Sequence, residues 1–217
     1  MNLQELNKEF AKLQSKYGAK ELDAICNGGY EKTPDICFVF MNPTGKNQAS
    51  SREWSGIKAP WIGTKNIWEL FFAAKLLSKN IYNKIKAIKG SEWTEQFAEE
   101  VYNDISNHKC YITNLAKCTQ VDARELSDDV YKEYLDLFFK EISLVKPKVI
   151  VLFGNQISSI ILDEKISVSQ VRKKRFEREI YSKEYKIYSL YYPVGNGRFN
   201  ISKTIEDLNW IIENEII

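Results

Sequence analysis

No run of apolar residues in this chain reaches the length of a membrane span. The amino terminus, MNLQELNKEF, also lacks the basic-then-apolar pattern of a secretory signal, so a cytoplasmic protein with no membrane partner is expected. Charge of one sign is missing too. Lys and Arg number 31 against 29 Asp and Glu, and a net charge of +2 does not by itself point to a polyanionic partner. The four cysteines, Cys26, Cys37, Cys110 and Cys118, contain no CxxC pair. Three of them lie in or beside strand-like segments, so buried thiols without disulfides are expected. Absent as well are a Walker lysine motif, a GxSxG elbow, HExxH, GxGxxG, internal repeats and low-complexity tracts. What remains is ordinary for a soluble globular protein, 44% apolar and 28% charged, and 217 residues suffice for one sizeable core. A single domain over residues 1–217 is expected.

The most informative stretch is Asp35 to Thr44, DICFVFMNPT. Its β-branched and aromatic run between Pro34 and Pro43 reads as a strand, Ile36 to Met41, buried on both faces. Pro43 stops it, and Asn42 stands at its carboxyl end, where open α/β sheets bind ligands. Further strands are expected at Lys109 to Leu115, Val149 to Phe153 and Lys186 to Tyr192. Helices are expected at Leu3 to Tyr17, Ala19 to Ile25, from Thr64 as cap, Ser91 to Ser106, Asp128 to Val145, Asn155 to Leu162 and Ser202 to Asn214. Asn27-Gly28-Gly29 reads as a flexible turn, and Asp163 to Tyr185 has no clear secondary structure. Residues 44–63 form a loop long enough to suggest function. Strands alternating with helices imply an α/β fold: a three-layer α/β/α sandwich around a central, mostly parallel four-stranded sheet. Asn42, Asn114 and the turn from Tyr192 to Arg198 would then meet at the carboxyl edge of that sheet.

Five segments in order resemble the uracil-DNA glycosylase superfamily: FMNPTG at Phe40, APWIGTKNIWEL at Ala59, YITNLAKC at Tyr111, KPKVIVLFG at Lys146, and YYPVGNGRFN at Tyr191. The first is similar to the Asn-Pro form of the mismatch-specific and single-strand-selective branches. The next three are similar to the thermophile-type branch, and the last to the second motif, where Tyr192 replaces the usual histidine. The sole histidine, His108, does not match that position. The thermophile-type branch also holds a 4Fe-4S cluster on four cysteines. Here only Cys118 matches a ligand, Cys26 lacks its CxxC partner, and Tyr134 falls about where the last ligand would lie. No cofactor and no metal are therefore expected.

The resemblance implies a DNA glycosylase that flips a damaged or modified pyrimidine and hydrolyses its N-glycosidic bond. It implies catalytic roles for Asn42, which would orient water, and Tyr192, which would hydrogen-bond the departing base. Met41, Trp61 and Asn114 would bind the base, Trp61 by stacking and Asn114 by reading its edge. Thr44, Lys46, Lys65, Gly195, Asn196 and Arg198 would contact DNA, single- or double-stranded, and the protein would act as a monomer. The cluster Arg172, Lys173, Lys174, Arg175 and Arg178 reads either as a phosphate track or, given Glu177 and Glu179, as a mixed-charge solvated face. Uracil is the default substrate. The alternatives are a bulky modified cytosine of phage DNA, which would make the enzyme an antiviral one, and a catalytically idle member that binds lesions.

Overall fold

The computed structural model describes residues 2–123 and 126–216. In chain order the elements are α1 (Leu3–Tyr17), β1 (Asn27–Gly29), β2 (Ile36–Phe40), α2 (Asn66–Ala73), α3 (Lys79–Ala87), α4 (Glu95–Asn107) and β3 (Cys110–Asn114). They continue with α5 (Asp128–Val145), β4 (Val149–Phe153), α6 (Asn155–Leu162), β5 (Phe176–Ile180), β6 (Lys183–Leu190) and α7 (Ile201–Glu215). The sheet order is β1-β3-β2-β4-β6-β5. Its four inner strands are parallel and the two edge strands run antiparallel.

Every residue of β2, β3 and β4 is buried, as continuous apolar runs require when helices cover both faces. Alternation along the strands sorts the side chains into two cores. Phe38, Phe40, Ile112 and Val151 face α2, α3, α4 and α7, while Cys37, Val39, Tyr111 and Ile150 face α1, α5 and α6. The three layers are those expected from the pattern of elements.

The sheet has six strands rather than four. Asn27-Gly28-Gly29 pairs with β3, a strand made without side chains to announce it. A Cβ on Gly29 would meet the Cys110 carbonyl oxygen at 2.3 Å, so the close approach of these strands needs glycine. In β5, FEREI buries only its two ends, and the charges between them mask the alternation. No helix forms over 19–25. There Leu22 bridges to Ser51, and the Gln14 side chain donates to the carbonyls of Ala19 (3.0 Å) and Leu22 (2.9 Å) instead. The lysine-rich connection after α2 contains α3, capped by Ser78 and buried through Ile81 and Ile85. Thr64 does not cap a helix; its hydroxyl donates to the Trp61 carbonyl. Among the described residues no helix is long and apolar enough to cross a membrane.

The basic cluster is largely neutralised within the protein. Arg172 pairs with Asp207 and Glu206, Lys173 with Glu206, and Arg175 with Glu177 and Glu215. Arg178 donates to the Ile161 carbonyl. These cations fasten the β5 edge to α6 and α7.

On the α5 side of the sheet lies a wholly buried ion pair, Lys117 Nζ to Glu141 Oε2 at 2.8 Å. The same ammonium donates to the Asn114 carbonyl (2.8 Å) and to the Thr113 hydroxyl. Glu141 Oε1 accepts from Tyr111 (2.8 Å), Thr113 (2.8 Å) and Asn27 (3.2 Å). Removing the carboxylate strands a buried cation, so Glu141→Ala is expected to cost about 3–5 kcal/mol of stability in urea denaturation. A loss below ~1 kcal/mol would contradict this account of the pair.

Candidate active site

Strand β2 and strand β3 are parallel neighbours in a register that sets Phe40 beside Asn114, and their chains leave the sheet together. Leu115 donates its amide to the Phe40 carbonyl (2.8 Å) and Ala116 to that of Met41 (3.1 Å). Further on, Gln120 donates to Pro43 and Gly45 to Gln120, with Thr44 and Gln120 forming a parallel bridge. Two loops zipped in this way hold Asn42 and Asn114 against one cavity of about 360 Å³.

The loop after Asn42 supplies a second wall. It is cross-braced rather than loose. Asn47 is buried, accepts from the Ala49 amide (3.0 Å) and donates to the Ala59 carbonyl (2.9 Å). Gln48 donates its amide to Ile62 (3.0 Å), and the Tyr102 hydroxyl donates to Pro60. These ties present Trp61 in a left-handed conformation, φ +67°. Such a backbone costs a bulky residue about 1–3 kcal/mol and persists only where its surroundings fix it. The Trp61 ring meets Phe40 edge-on, centroids 5.0 Å apart. Tyr192 approaches the same Phe40 from another side at 6.2 Å, also edge-on. Burial raises the Tyr192 phenol well above its usual value, so the hydroxyl stays a proton donor.

Beyond Tyr192 the chain makes a 3₁₀ turn over Gly195–Asn200. Gly197 is confined there by the backbone: a Cβ would sit 1.9 Å from the Tyr192 carbonyl oxygen. Two polar atoms on the cavity's lining residues, Asn114 Nδ2 and Trp61 Nε1, are buried and have no hydrogen-bond partner among the described residues. A buried donor without a partner costs about 1–3 kcal/mol, which a ligand acceptor would recover.

Of the residues singled out from the sequence, Asn42, Thr44, Lys46, Trp61, Lys65, Asn114, Tyr192 and Gly195 all line this cavity. Met41 does not. It packs on the α5 side of the sheet, as the alternation after Phe40 dictates. Asn196 and Arg198 lie on the turn outside the cavity, where Arg198 pairs with Glu69 at 3.5 Å. Lys65 donates to the Lys86 carbonyl (2.9 Å), which holds it at the rim. Two residues escaped the sequence reading. Phe199 is 92% exposed on the 3₁₀ turn, and an aromatic in the middle of GNGRFN was the available signal. Tyr131 donates from α5 to Asn42 Oδ1 at 2.7 Å, and nothing local announced that.

The donors for a four-iron cluster do not fit. Cys118 Sγ accepts from Gln120 (3.8 Å) and faces the Tyr134 hydroxyl. Tyr134, at the place of the last ligand, stacks against Phe10 (6.2 Å) and lies tilted on Tyr17. Among the described residues no three His, Cys, Asp or Glu side chains gather as a metal site.

Comparison with known proteins shows the family. Over 87 residues the chain is 28% identical to the type-4 uracil-DNA glycosylase of Archaeoglobus fulgidus, a match covering 38% of this chain and 44% of that protein. The matched stretch thus spans less than half the length of that relative. A family profile described as the uracil DNA glycosylase superfamily matches residues 28–209. That span starts within β1, ends within α7 and takes in every residue around the cavity, so this chain belongs to the uracil DNA glycosylase superfamily.

Proposed function

We propose that this protein is a monofunctional DNA glycosylase that takes a damaged pyrimidine, uracil by default, out of DNA and hydrolyses its N-glycosidic bond to leave an abasic site. The observation that carries this reading is the unpartnered Asn114 amide on a cavity shared with Asn42 and Tyr192. Uracil presents an acceptor, O4, beside a donor, N3–H. The Asn114 Nδ2 and Oδ1 are the matching pair.

Bond cleavage sends the C1′–N1 electron pair onto the base and leaves an oxocarbenium-like sugar. Tyr192, kept protonated, donates to the base O2 as negative charge grows there. Water then adds to C1′, its oxygen oriented by Asn42, and its proton leaves to solvent or to the departing base. An amide is too weak a base to take that proton, so Asn42 contributes position. Trp61 offers the stacking face. Thr44, Lys46 and Lys65 at the rim meet the strand, with Gly195, Asn196 and Arg198 on the opposite turn. Phe199, exposed at the same turn, suits the gap that an extruded nucleotide leaves in a duplex.

One observation favours a second substrate. The cavity volume of about 360 Å³ and its polar rim of Lys46, Thr64, Lys65 and Asn66 leave room for a polar group on the pyrimidine, as in a hydroxymethylated or glucosylated cytosine. Both readings are tested by base release from single- and double-stranded DNA carrying uracil, hypoxanthine, or either modified cytosine. Release of one base, reduced about 100-fold in Asn42→Ala, is the expected outcome and names the substrate. Intact DNA throughout, despite binding, favours an idle lesion-binding protein.

The pH profile tests Tyr192. With a phenol that stays protonated, single-turnover release should show no Tyr192-linked inflection between about pH 5 and 8, the span over which an ordinary imidazole would titrate and a phenol would not. Tyr192→His should introduce one at or below about pH 6.5, the rate falling as pH rises and the imidazole loses its charge. Tyr192→Phe should slow release by about 100-fold. A wild-type inflection that vanishes in Tyr192→Phe would contradict this role.

Phe199→Ala should lower activity on duplex DNA by about tenfold and leave single-stranded DNA unaffected, since only a duplex has a stack to fill. Equal losses on both substrates would exclude a wedge.

A further inference from the structure

The amide of Asn42 is fixed at both ends by the protein itself. Its Nδ2 donates to the Pro43 carbonyl at 3.1 Å. A carbonyl accepts only, so the nitrogen must face it and the oxygen must face the other way. There the Tyr131 hydroxyl donates to Oδ1 at 2.7 Å. Tyr131 is fully buried on α5, in the core that also contains Val39, Leu115 and Ile157, so its hydroxyl cannot follow a moving partner. An Asn terminal torsion is otherwise broad, with two nearly equivalent orientations. The pair of bonds removes that freedom and leaves one lone pair of Oδ1 and one hydrogen of Nδ2 unspent on a residue that lines the cavity.

We propose that Tyr131 is a positioning residue of the reaction: it holds the Asn42 amide so that the remaining Oδ1 lone pair faces the attacking water. This rests on the glycosylase reading above. Tyr131 touches neither base nor sugar and acts only through Asn42. It also draws electron density from Oδ1, which makes that oxygen a weaker base and suits it to orienting water rather than deprotonating it.

The test is a double-mutant cycle in the full-length protein, with single-turnover release of the base that the wild type excises. Tyr131→Phe keeps the buried ring and deletes only the hydroxyl. It should slow release about tenfold, the equivalent of one hydrogen bond, with KM changed less than twofold. In the Asn42→Ala background the same substitution should cost nothing further. No loss in Tyr131→Phe, or the same fractional loss in both backgrounds, overturns the proposal. A second readout needs no activity. The side-chain amide pair of Asn42 in a ¹H–¹⁵N spectrum, identified by its absence in Asn42→Ala, should shift in Tyr131→Phe while the indole signals of Trp68 and Trp93 stay in place. An unmoved amide pair overturns the proposal as well. A wild-type protein that releases no base overturns the glycosylase reading and the catalytic role together, and the amide pair then decides separately whether Tyr131 holds Asn42.

Discussion

The buried ion pair between Lys117 and Glu141 is the constraint on which the rest of the site depends. Taking two charges out of water costs several kcal/mol for each, and the cost is offset only when every proton and lone pair finds a partner. Here the ammonium donates to Thr113 and to the Asn114 carbonyl and lies 2.8 Å from Glu141 Oε2 as an ion pair, while Glu141 Oε1 collects Tyr111, Thr113 and Asn27. Such a network has one geometry. A one-residue slip of β3 would carry Thr113 to the opposite face and leave a charge stranded. Because Thr113 is held toward α5, its neighbour Asn114 must point the other way, which is toward the cavity. A polar group buried on one side of the sheet thereby fixes the aim of a polar group on the other.

The same economy governs β2, whose register with β3 is set residue by residue from Ile36 to Phe40. Phe40 packs parallel to Phe153 at 4.5 Å and receives the edges of Trp61 and Tyr192. One buried ring therefore supports two walls of the cavity, Trp61 and Tyr192, that are far apart in the sequence. The left-handed backbone of Trp61 is tolerable only because this packing and the bonds from Thr64 hold it. Strain at a cavity wall is consistent with a ring kept in place before any ligand arrives.

How much of this could be read in advance follows from where the determinants lie. Strands β2 and β4 were legible because a strand covered on both faces must be apolar throughout. Helices α1, α5 and α6 were legible from periodicity and punctuation, and Asn42, Asn114 and Tyr192 from their place at strand ends. The edge strands were not, for opposite reasons. Gly28 and Gly29 offer no side chains to show a pattern, and the charges of β5 interrupt its alternation, Glu177 pairing with Arg175 and Arg178 donating to the Ile161 carbonyl. The lysine in AKC reads as a surface charge until Glu141 is placed beside it. Tyr131 falls on the apolar stripe of α5 and reads as core, which its ring is. Its hydroxyl acquires this meaning from Asn42, 89 positions away in the sequence. Local chemistry thus announces secondary structure and strand-end residues, whereas the partners that aim those residues are nonlocal.

Helix α5 gathers these partners on one stripe. Tyr131 reaches Asn42 beyond β2, Tyr134 faces Cys118 on the loop after β3, and Glu141 holds Lys117 and through it Asn114. The three contacts lie along a single rigid element, so the loops after β2 and β3 are located relative to each other by a helix as well as by their own zipper of amides. In a chain whose thiols do not make up the ligand set of a cluster, this is how the loop after β3 acquires a fixed position. Aromatic stacking of Tyr134 on Phe10 and the cation of Lys117 above the same Phe10 ring, 4.9 Å from its centroid, extend the support to α1. A close-packed interior transmits displacement rather than absorbing it, so a change on the buried face of α5 reaches Asn42 and Asn114 although it lies behind the sheet from the cavity.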